Sequence, residues 1–285
     1  MKRPRKPKEL EGKPGRYDKR NTLNDLTGKD WLLLTKSYWT SEATSDDRTA
    51  YTHPAPFLVG DVEKLISMFT KSGMRVLDPF AGSGSALVAA MRLKREAVGI
   101  ELYEHFVELA HERIREAGLT GDYEIVRGDA NTVVTSLEEV DYIVTSPPYH
   151  NILKNEGKGI RHNQGKNYRI GARDGVEFYG ESENDLGNLD SYTDFIKSLK
   201  SIMAGCFNKL RKGKYCTIII SDFTVNKKEV CVQRDIVGLM EEIGYEFQGT
   251  TILLQPVKPL FPFGYPYAYK INHHHQNLIT FRRPK

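Results

Sequence analysis

Three short apolar runs, each closed by an acid, constrain this chain more than any other feature. Met74-Arg75-Val76-Leu77-Asp78 leads into Pro79-Phe80-Ala81-Gly82-Ser83-Gly84-Ser85, which reads as a strand, a glycine-bearing turn and a helix start. Ala97-Val98-Gly99-Ile100-Glu101 is the second run, ending in an acid about 20 residues beyond the turn, where a carboxylate can accept two ribose hydroxyls. Tyr123-Glu124-Ile125-Val126-Arg127 is the third, followed by Gly128-Asp129-Ala130. One acid after one strand is more often a loop residue or a helix cap. Three in series beside a glycine turn point to a ligand instead, because glycines let a ligand approach the backbone and a helix amino end offers unpaired N–H donors. The spacing is neither the G-x-G-x-x-G of dinucleotide folds nor a P-loop, since no lysine follows. The expected fold is α/β, a doubly wound, mostly parallel sheet of Rossmann-like type.

A fourth run, Asp141-Tyr142-Ile143-Val144-Thr145, ends in Ser146-Pro147-Pro148-Tyr149. Each proline fixes its own φ, removes a backbone N–H and pushes the residue before it toward an extended conformation. The result is a rigid row of acceptors, the Ser146 hydroxyl and the freed carbonyls, next to the flat face of Tyr149. That suits a planar base carrying an exocyclic NH₂. The plainer reading is a strand ending in a Pro-rich turn, but ligands of open α/β sheets bind at strand carboxyl ends, where this string lies.

With these residues in view, the chain resembles the S-adenosylmethionine-dependent amino-methyltransferases of DNA. Asp78 through Gly84 looks like the family's methionine-side cofactor motif, and Ser146-Pro147-Pro148-Tyr149 like its catalytic motif. Thr52-His53-Pro54-Ala55-Pro56-Phe57 is similar to the segment that closes over the methionine part. The resemblance implies S-adenosylmethionine as cofactor, held by His53, Pro54, Phe57, Asp78, Pro79, Phe80, Gly82 and Gly84. Glu101 would take its ribose and Asp129 its adenine amino group. It implies double-stranded DNA as partner and allows a restriction endonuclease in the same system. A serine at the first catalytic position usually accompanies methylation of cytosine N4, and aspartate there adenine N6.

The 285 residues carry a formal net charge of only +4, but the positive charge is clustered. Lysines and arginines crowd the first twenty residues, so residues 1–30 are expected to be a basic, disordered tail before a single methyltransferase domain over 31–285. Three cysteines without metal or redox spacing suit a reducing, cytoplasmic setting, and the resemblance implies a prokaryotic or phage-encoded chain. No apolar run is long enough for a membrane span.

Between about 150 and 190 apolar periodicity disappears. Lys154, Lys158, Arg161, Lys166, Arg169 and Arg173 outnumber the acids there, and the stretch reads as an inserted, basic, nucleic-acid-recognition segment. Regularity then returns. Ser191-x-x-Asp194 predicts a capped helix that Gly213 can end, Lys214–Ile220 a fifth strand, Glu229–Ile243 a helix, and Tyr245–Leu254 and Gln276–Phe281 two closing strands. The connection Pro256–Tyr269 is dense in proline and aromatics and reads equally well as a packed hairpin link or as a second DNA-contacting loop. His273-His274-His275 cannot all chelate one ion if they lie in a strand, because neighbours point to opposite faces.

The chemistry expected is methyl transfer to the amino group of a flipped base, most simply cytosine N4. Tyr149 would stack the base, while Ser146 and the Pro147 carbonyl accept from its amino group. Adenine N6, an RNA base, and a noncatalytic DNA-binding module remain the alternatives.

Overall fold

The computed structural model describes residues 14–44, 47, 57–150, 180, 182–225 and 228–285. Its centre is an eight-stranded sheet. Four of the predicted runs form β2 (Arg75–Asp78), β3 (Glu96–Glu101), β4 (Tyr123–Arg127) and β5 (Val140–Thr145). With β6 (Leu210–Ile220) they lie parallel. β9 (Glu246–Leu254) and β10 (His275–Arg282) follow, and β10 runs antiparallel between β6 and β9. β1 (Tyr38–Thr40) adds a parallel edge that the sequence reading did not anticipate, giving the order β1-β9-β10-β6-β5-β2-β3-β4.

Every residue of β5 is buried because both faces of the sheet are covered. On one face Ile143 packs with α6 (Tyr192–Lys209) and α7 (Val232–Ile243), through Phe195, Leu199, Ile236 and Met240. On the other, Tyr142 and Val144 pack with α2 (Val59–Phe69) and α3 (Ser85–Arg92). The α6 cap forms as its spacing predicts, with the Asp194 N–H donating to Ser191 Oγ at 3.1 Å.

Three expectations change. The α6 helix ends at Lys209 rather than at Gly213, and the chain turns straight into β6. Gly213 sits inside that strand at φ 78°, a left-handed conformation that serves a bend in the strand as readily as a helix end. Glu229 lies in a hairpin, β7 (Phe223–Val225) with β8 (Lys228–Val230), and α7 begins only at Val232. Within the tail expected over residues 1–30, contact with the rest of the domain begins at Tyr17, whose hydroxyl accepts from Lys71 Nζ at 3.0 Å. Asn24 is buried and donates to the Met68 carbonyl at 2.7 Å, and Thr27 caps α1 (Gly28–Leu34). Its polar side chains hide this from a composition argument, because their bonds go to backbone groups of α1 and α2 that only the fold brings near.

Candidate active site

β2, β3 and β5 end at the same edge of the sheet. Strand order reverses between β2 and β5, which opens a crevice at that edge. Its walls are Pro79, Phe80 and Gly82 after β2, Ile100 to Tyr103 at the end of β3, Gly128 to Ala130 after β4, and Ser146 to Tyr149 after β5. Asn184, Asp185 and Leu186 close a further side. The space between these walls, part of it continuous with solvent, amounts to about 670 Å³.

The glycine turn is shaped for close approach. Gly82 and Gly84 have φ of 50° and 76°. A Cβ on Gly84 would stand 2.8 Å from Ala110 Cβ, so this glycine lets the turn sit against α4 (Glu104–Glu116). Gly82 lines the cleft, whereas Gly84 does not, and its part is packing. Behind the turn the buried Arg113 donates to the Ser83 carbonyl at 2.6 Å and to Ser85 Oγ at 3.1 Å.

Asp78 closes β2, buried to 1% exposure, and lies behind the cleft wall of Pro79 and Phe80 rather than in it. Its Oδ1 accepts from Thr145 Oγ at 2.6 Å and from the Phe80 N–H at 3.0 Å. Oδ2 is buried and has no hydrogen-bond partner among the described residues. Burial pushes the carboxyl pKa up to about 7, against the lowering effect of those two donors. A buried carboxylate oxygen without a partner is costly unless a cation or donor arrives.

Glu101 closes β3. Its Oε2 accepts from the Gly82 N–H at 2.8 Å and its Oε1 from the Tyr103 N–H at 2.9 Å. Burial raises its pKa, and these backbone donors work the other way. Each oxygen keeps a second lone pair for a hydroxyl. Asp129 combines two roles that the sequence set against each other, capping α5 (Ala130–Val133) through the Asn131 N–H at 2.9 Å while lining the cleft.

Tyr149 is not an open platform. It is 9% exposed, with its ring edge-on to Phe223. Its hydroxyl oxygen accepts from the Ser221 N–H at 3.1 Å and from Gln276 Nε2 at 3.2 Å. Gln276 Oε1 accepts in turn from Gln255 Nε2 at 3.0 Å. The ends of β6, β10 and β9 thus tether the aromatic of the Pro-Pro motif.

Two further groups escaped sequence reasoning. Tyr103 donates to Asp185 Oδ2 at 2.8 Å, and Asp185 Oδ1 accepts from the Gly187 N–H at 2.8 Å. This clasps residues 182–188 against the end of β3. Tyr103 lies two positions beyond Glu101, a proximity signal that was available; Asp185 had none. His150 Nε2 donates to the Leu189 carbonyl at 2.9 Å and so ties together the two sides of the predicted insertion.

Of the other predicted residues, Phe57 packs against the core cluster containing Trp39 and Leu65 and does not line the cleft. His53 and Pro54 lie outside the described residues, as do Lys154, Lys158, Arg161, Lys166, Arg169 and Arg173. Among the described residues no cluster of His, Cys, Asp and Glu is placed to hold a metal, and no helix is long and apolar enough to cross a membrane.

A doubly wound sheet with acids and a glycine turn at the switch point is an arrangement that S-adenosylmethionine-dependent methyltransferases use. The chain belongs to the methyltransferase-domain family, whose model matches residues 70–233, and residues 3–112 also match the DNA methylase family. S-adenosylmethionine is the cofactor of this family.

Over 99 residues the chain is 35% identical to the type II methyltransferase M2.DpnII of Streptococcus pneumoniae, covering 34% of this chain and 35% of that protein. Over 79 residues it is 40% identical to a tRNA (guanine(10)-N2)-dimethyltransferase of Methanothermobacter thermautotrophicus, covering 28% and 23%. The chain thus spans about a quarter to a third of the length of these curated relatives. A precorrin 8W decarboxylase from Methanobacterium thermoautotrophicum shares the fold, with a TM-score of 0.50 at 10% identity over 86% of this chain and 96% of that one.

Proposed function

We propose that this chain is a DNA amino-methyltransferase that transfers the methyl group of S-adenosylmethionine to N4 of a flipped cytosine. The observation that carries this reading is the juxtaposition, in one cleft, of Phe80, Gly82 and Glu101 with Ser146, Pro147, Pro148 and Tyr149. The residues present fit the cofactor. The unpartnered Oδ2 of Asp78 suits an ammonium group, and the two oxygens of Glu101 suit a pair of hydroxyls. The aromatic rings of Phe80 and Tyr149 suit a sulfonium. The bound cofactor supplies a methyl group made electrophilic by that sulfonium.

The protein's own residues do the rest. The target amino nitrogen is planar because its lone pair is delocalised into the ring. Ser146 Oγ and the Pro147 carbonyl accept hydrogen bonds from the amino group and favour a pyramidal nitrogen whose lone pair faces the methyl. Transfer is then a direct displacement that depends on positioning. The nitrogen's extra proton leaves after the methyl arrives, so no covalent enzyme intermediate is needed. Serine at the head of the motif favours cytosine over adenine. DNA is favoured over RNA by the DNA methylase match, although one relative carries a tRNA modification in its name. Competition for methyl transfer between duplex DNA and tRNA tests this choice. Preferential labelling of tRNA would overturn it.

Glu101 gives a separate test of the cofactor assignment. Losing a charged hydrogen-bond pair costs roughly 1.5–3 kcal/mol. Glu101→Ala is therefore expected to weaken cofactor binding on the order of tenfold to a hundredfold. The geometry adds that Glu101→Ala also lowers thermal stability, because the Gly82 and Tyr103 N–H groups lose their acceptor. Glu101→Gln keeps one oxygen for one of these N–H groups but turns an NH₂ donor toward the other, so it should spare only part of the stability while still weakening binding. An unchanged cofactor dissociation constant in calorimetry for both variants would remove the ribose assignment.

A further inference from the structure

The link between β9 and β10 carries an exposed aromatic surface that the methyl-transfer chemistry does not use. Tyr265, Tyr267 and Tyr269 are 80%, 95% and 86% exposed, and Leu260 in the same link is 76% exposed. Large apolar groups shown to water together mark an interaction site.

This surface is presented by a built loop. The Asn272 side chain holds Phe261 at both ends, accepting from its N–H and donating to its carbonyl, each at 2.9 Å. The Phe261 and Phe263 rings pack 5.5 Å apart. Gly264 turns at φ 73°, where a Cβ would stand 2.3 Å from the Ala268 carbonyl oxygen, so the turn has no room for a side chain. The tyrosines therefore ride on a fixed turn.

Placement and charge indicate what covers it. β9 is parallel to β6, since both run antiparallel to β10, so the loop leaves the sheet at the edge that holds Ser146 and Tyr149. Its first residue, Gln255, reaches the Tyr149 hydroxyl through Gln276 alone. Residues 256–271 contain Lys258 and Lys270 and no acid. Exposed rings with positive charge and no negative charge suit bases stacked along a phosphate backbone, and stacking of this kind tolerates any base.

We propose that the Tyr265–Tyr269 loop is a stacking surface for unpaired bases of the DNA strand beside the target in the cleft. The partner class rests on the DNA reading above, but the binding is independent of methyl transfer.

The test measures binding of a fluorescent oligothymidylate, the same-length duplex, and an oligouridylate, by anisotropy on the full chain without cofactor. Replacing Tyr265, Tyr267 and Tyr269 by Ser should weaken oligothymidylate binding at least about tenfold, with the slope of log affinity against log salt unchanged because no charge is lost. Lys258→Ala with Lys270→Ala should flatten that slope by up to about 1.4, at about 0.7 per contact for a single strand. Each single Tyr→Ser variant is measured as well, so that a misfolded triple variant does not decide the matter.

Tyrosine variants that bind oligothymidylate as the unaltered chain does would overturn the proposal. So would tyrosine variants that lose duplex binding as strongly as oligothymidylate binding, preference for oligouridylate, or a wild-type dimer in sedimentation that the tyrosine variants convert to monomer, which would make a second copy the occupant. A chain that binds oligothymidylate through these tyrosines but transfers no methyl group would leave this inference standing and remove the functional one.

Discussion

Asp78→Asn is expected to separate folding from cofactor binding. The carboxylate is fully buried, and burial pushes its pKa up to about 7 from an ordinary value near 3.8. An acid whose folded pKa is raised holds its proton more tightly in the folded state. The folded state therefore loses stability as pH rises from about 4 to about 7, and the whole loss is present above that range. A shift of this size corresponds to about 4 kcal/mol, at 1.36 kcal/mol per pKa unit.

Asn is neutral at every pH, so the variant should be at least as stable as the unaltered chain at pH 8 and should lose the share of the pH dependence of its melting temperature that Asp78 contributes. Its Oδ1 can still accept from Thr145 and Phe80. Binding should move in the opposite direction. A charged hydrogen bond to the cofactor's ammonium is worth roughly 1.5–3 kcal/mol, so affinity should fall by about tenfold to a hundredfold at pH 8. In the unaltered chain affinity should rise with pH through about 7, as Asp78 ionises. Calorimetry across pH 6–8.5 reads both trends. A flat affinity profile would mean that Asp78 is a structural acid tied only to Thr145.

Tyr149 carries the second large effect. Tyr149→Ala removes a buried ring, which in protein cores costs about 3–5 kcal/mol of stability, and it also removes the stacking face for the base. Turnover should fall on the order of a hundredfold, with a much smaller change in cofactor affinity. Tyr149→Phe keeps the ring but gives up the bonds from Ser221 and Gln276, and about a tenfold loss in turnover is expected. Gln276→Leu removes one of these two bonds and should give a smaller loss, and the double variant Tyr149→Phe with Gln276→Leu should be no worse than Tyr149→Phe alone. Additive losses in the cycle would show Gln276 acting elsewhere. Ser146→Ala should also lower turnover while base capture persists, so 2-aminopurine at the target position should still brighten on binding.

What the sequence disclosed follows the range of its interactions. Buried parallel strands read as unbroken apolar runs, and an acid at the end of such a run is brought to the same edge as its neighbours by strand parallelism alone. That Glu101, Asp129 and the Ser146–Tyr149 string line one cleft was therefore legible, together with most of the sheet, whereas Asp78 closes its strand buried behind the lining. The tether of Tyr149 joins residues 72 and 127 positions apart, and the Tyr103–Asp185 pair spans 82. No local pattern marks such pairs, since a glutamine or a tyrosine reads alike in a strand whether it holds a catalytic ring or faces water. Gly213 misled because a left-handed residue serves a strand bend and a helix end equally well.

The most direct test is the identity of the methylated base. Purified protein is incubated with duplex DNA and S-adenosylmethionine carrying an isotopically labelled methyl group, and the DNA is digested to nucleosides for mass spectrometry. The account predicts label in N4-methylcytosine, lost in the Tyr149→Ala variant. Label in N6-methyladenine would transfer the same chemistry to the other base. Label at cytosine C5, or none in DNA while the cofactor binds, would contradict amino-group methylation at Ser146-Pro147-Pro148-Tyr149.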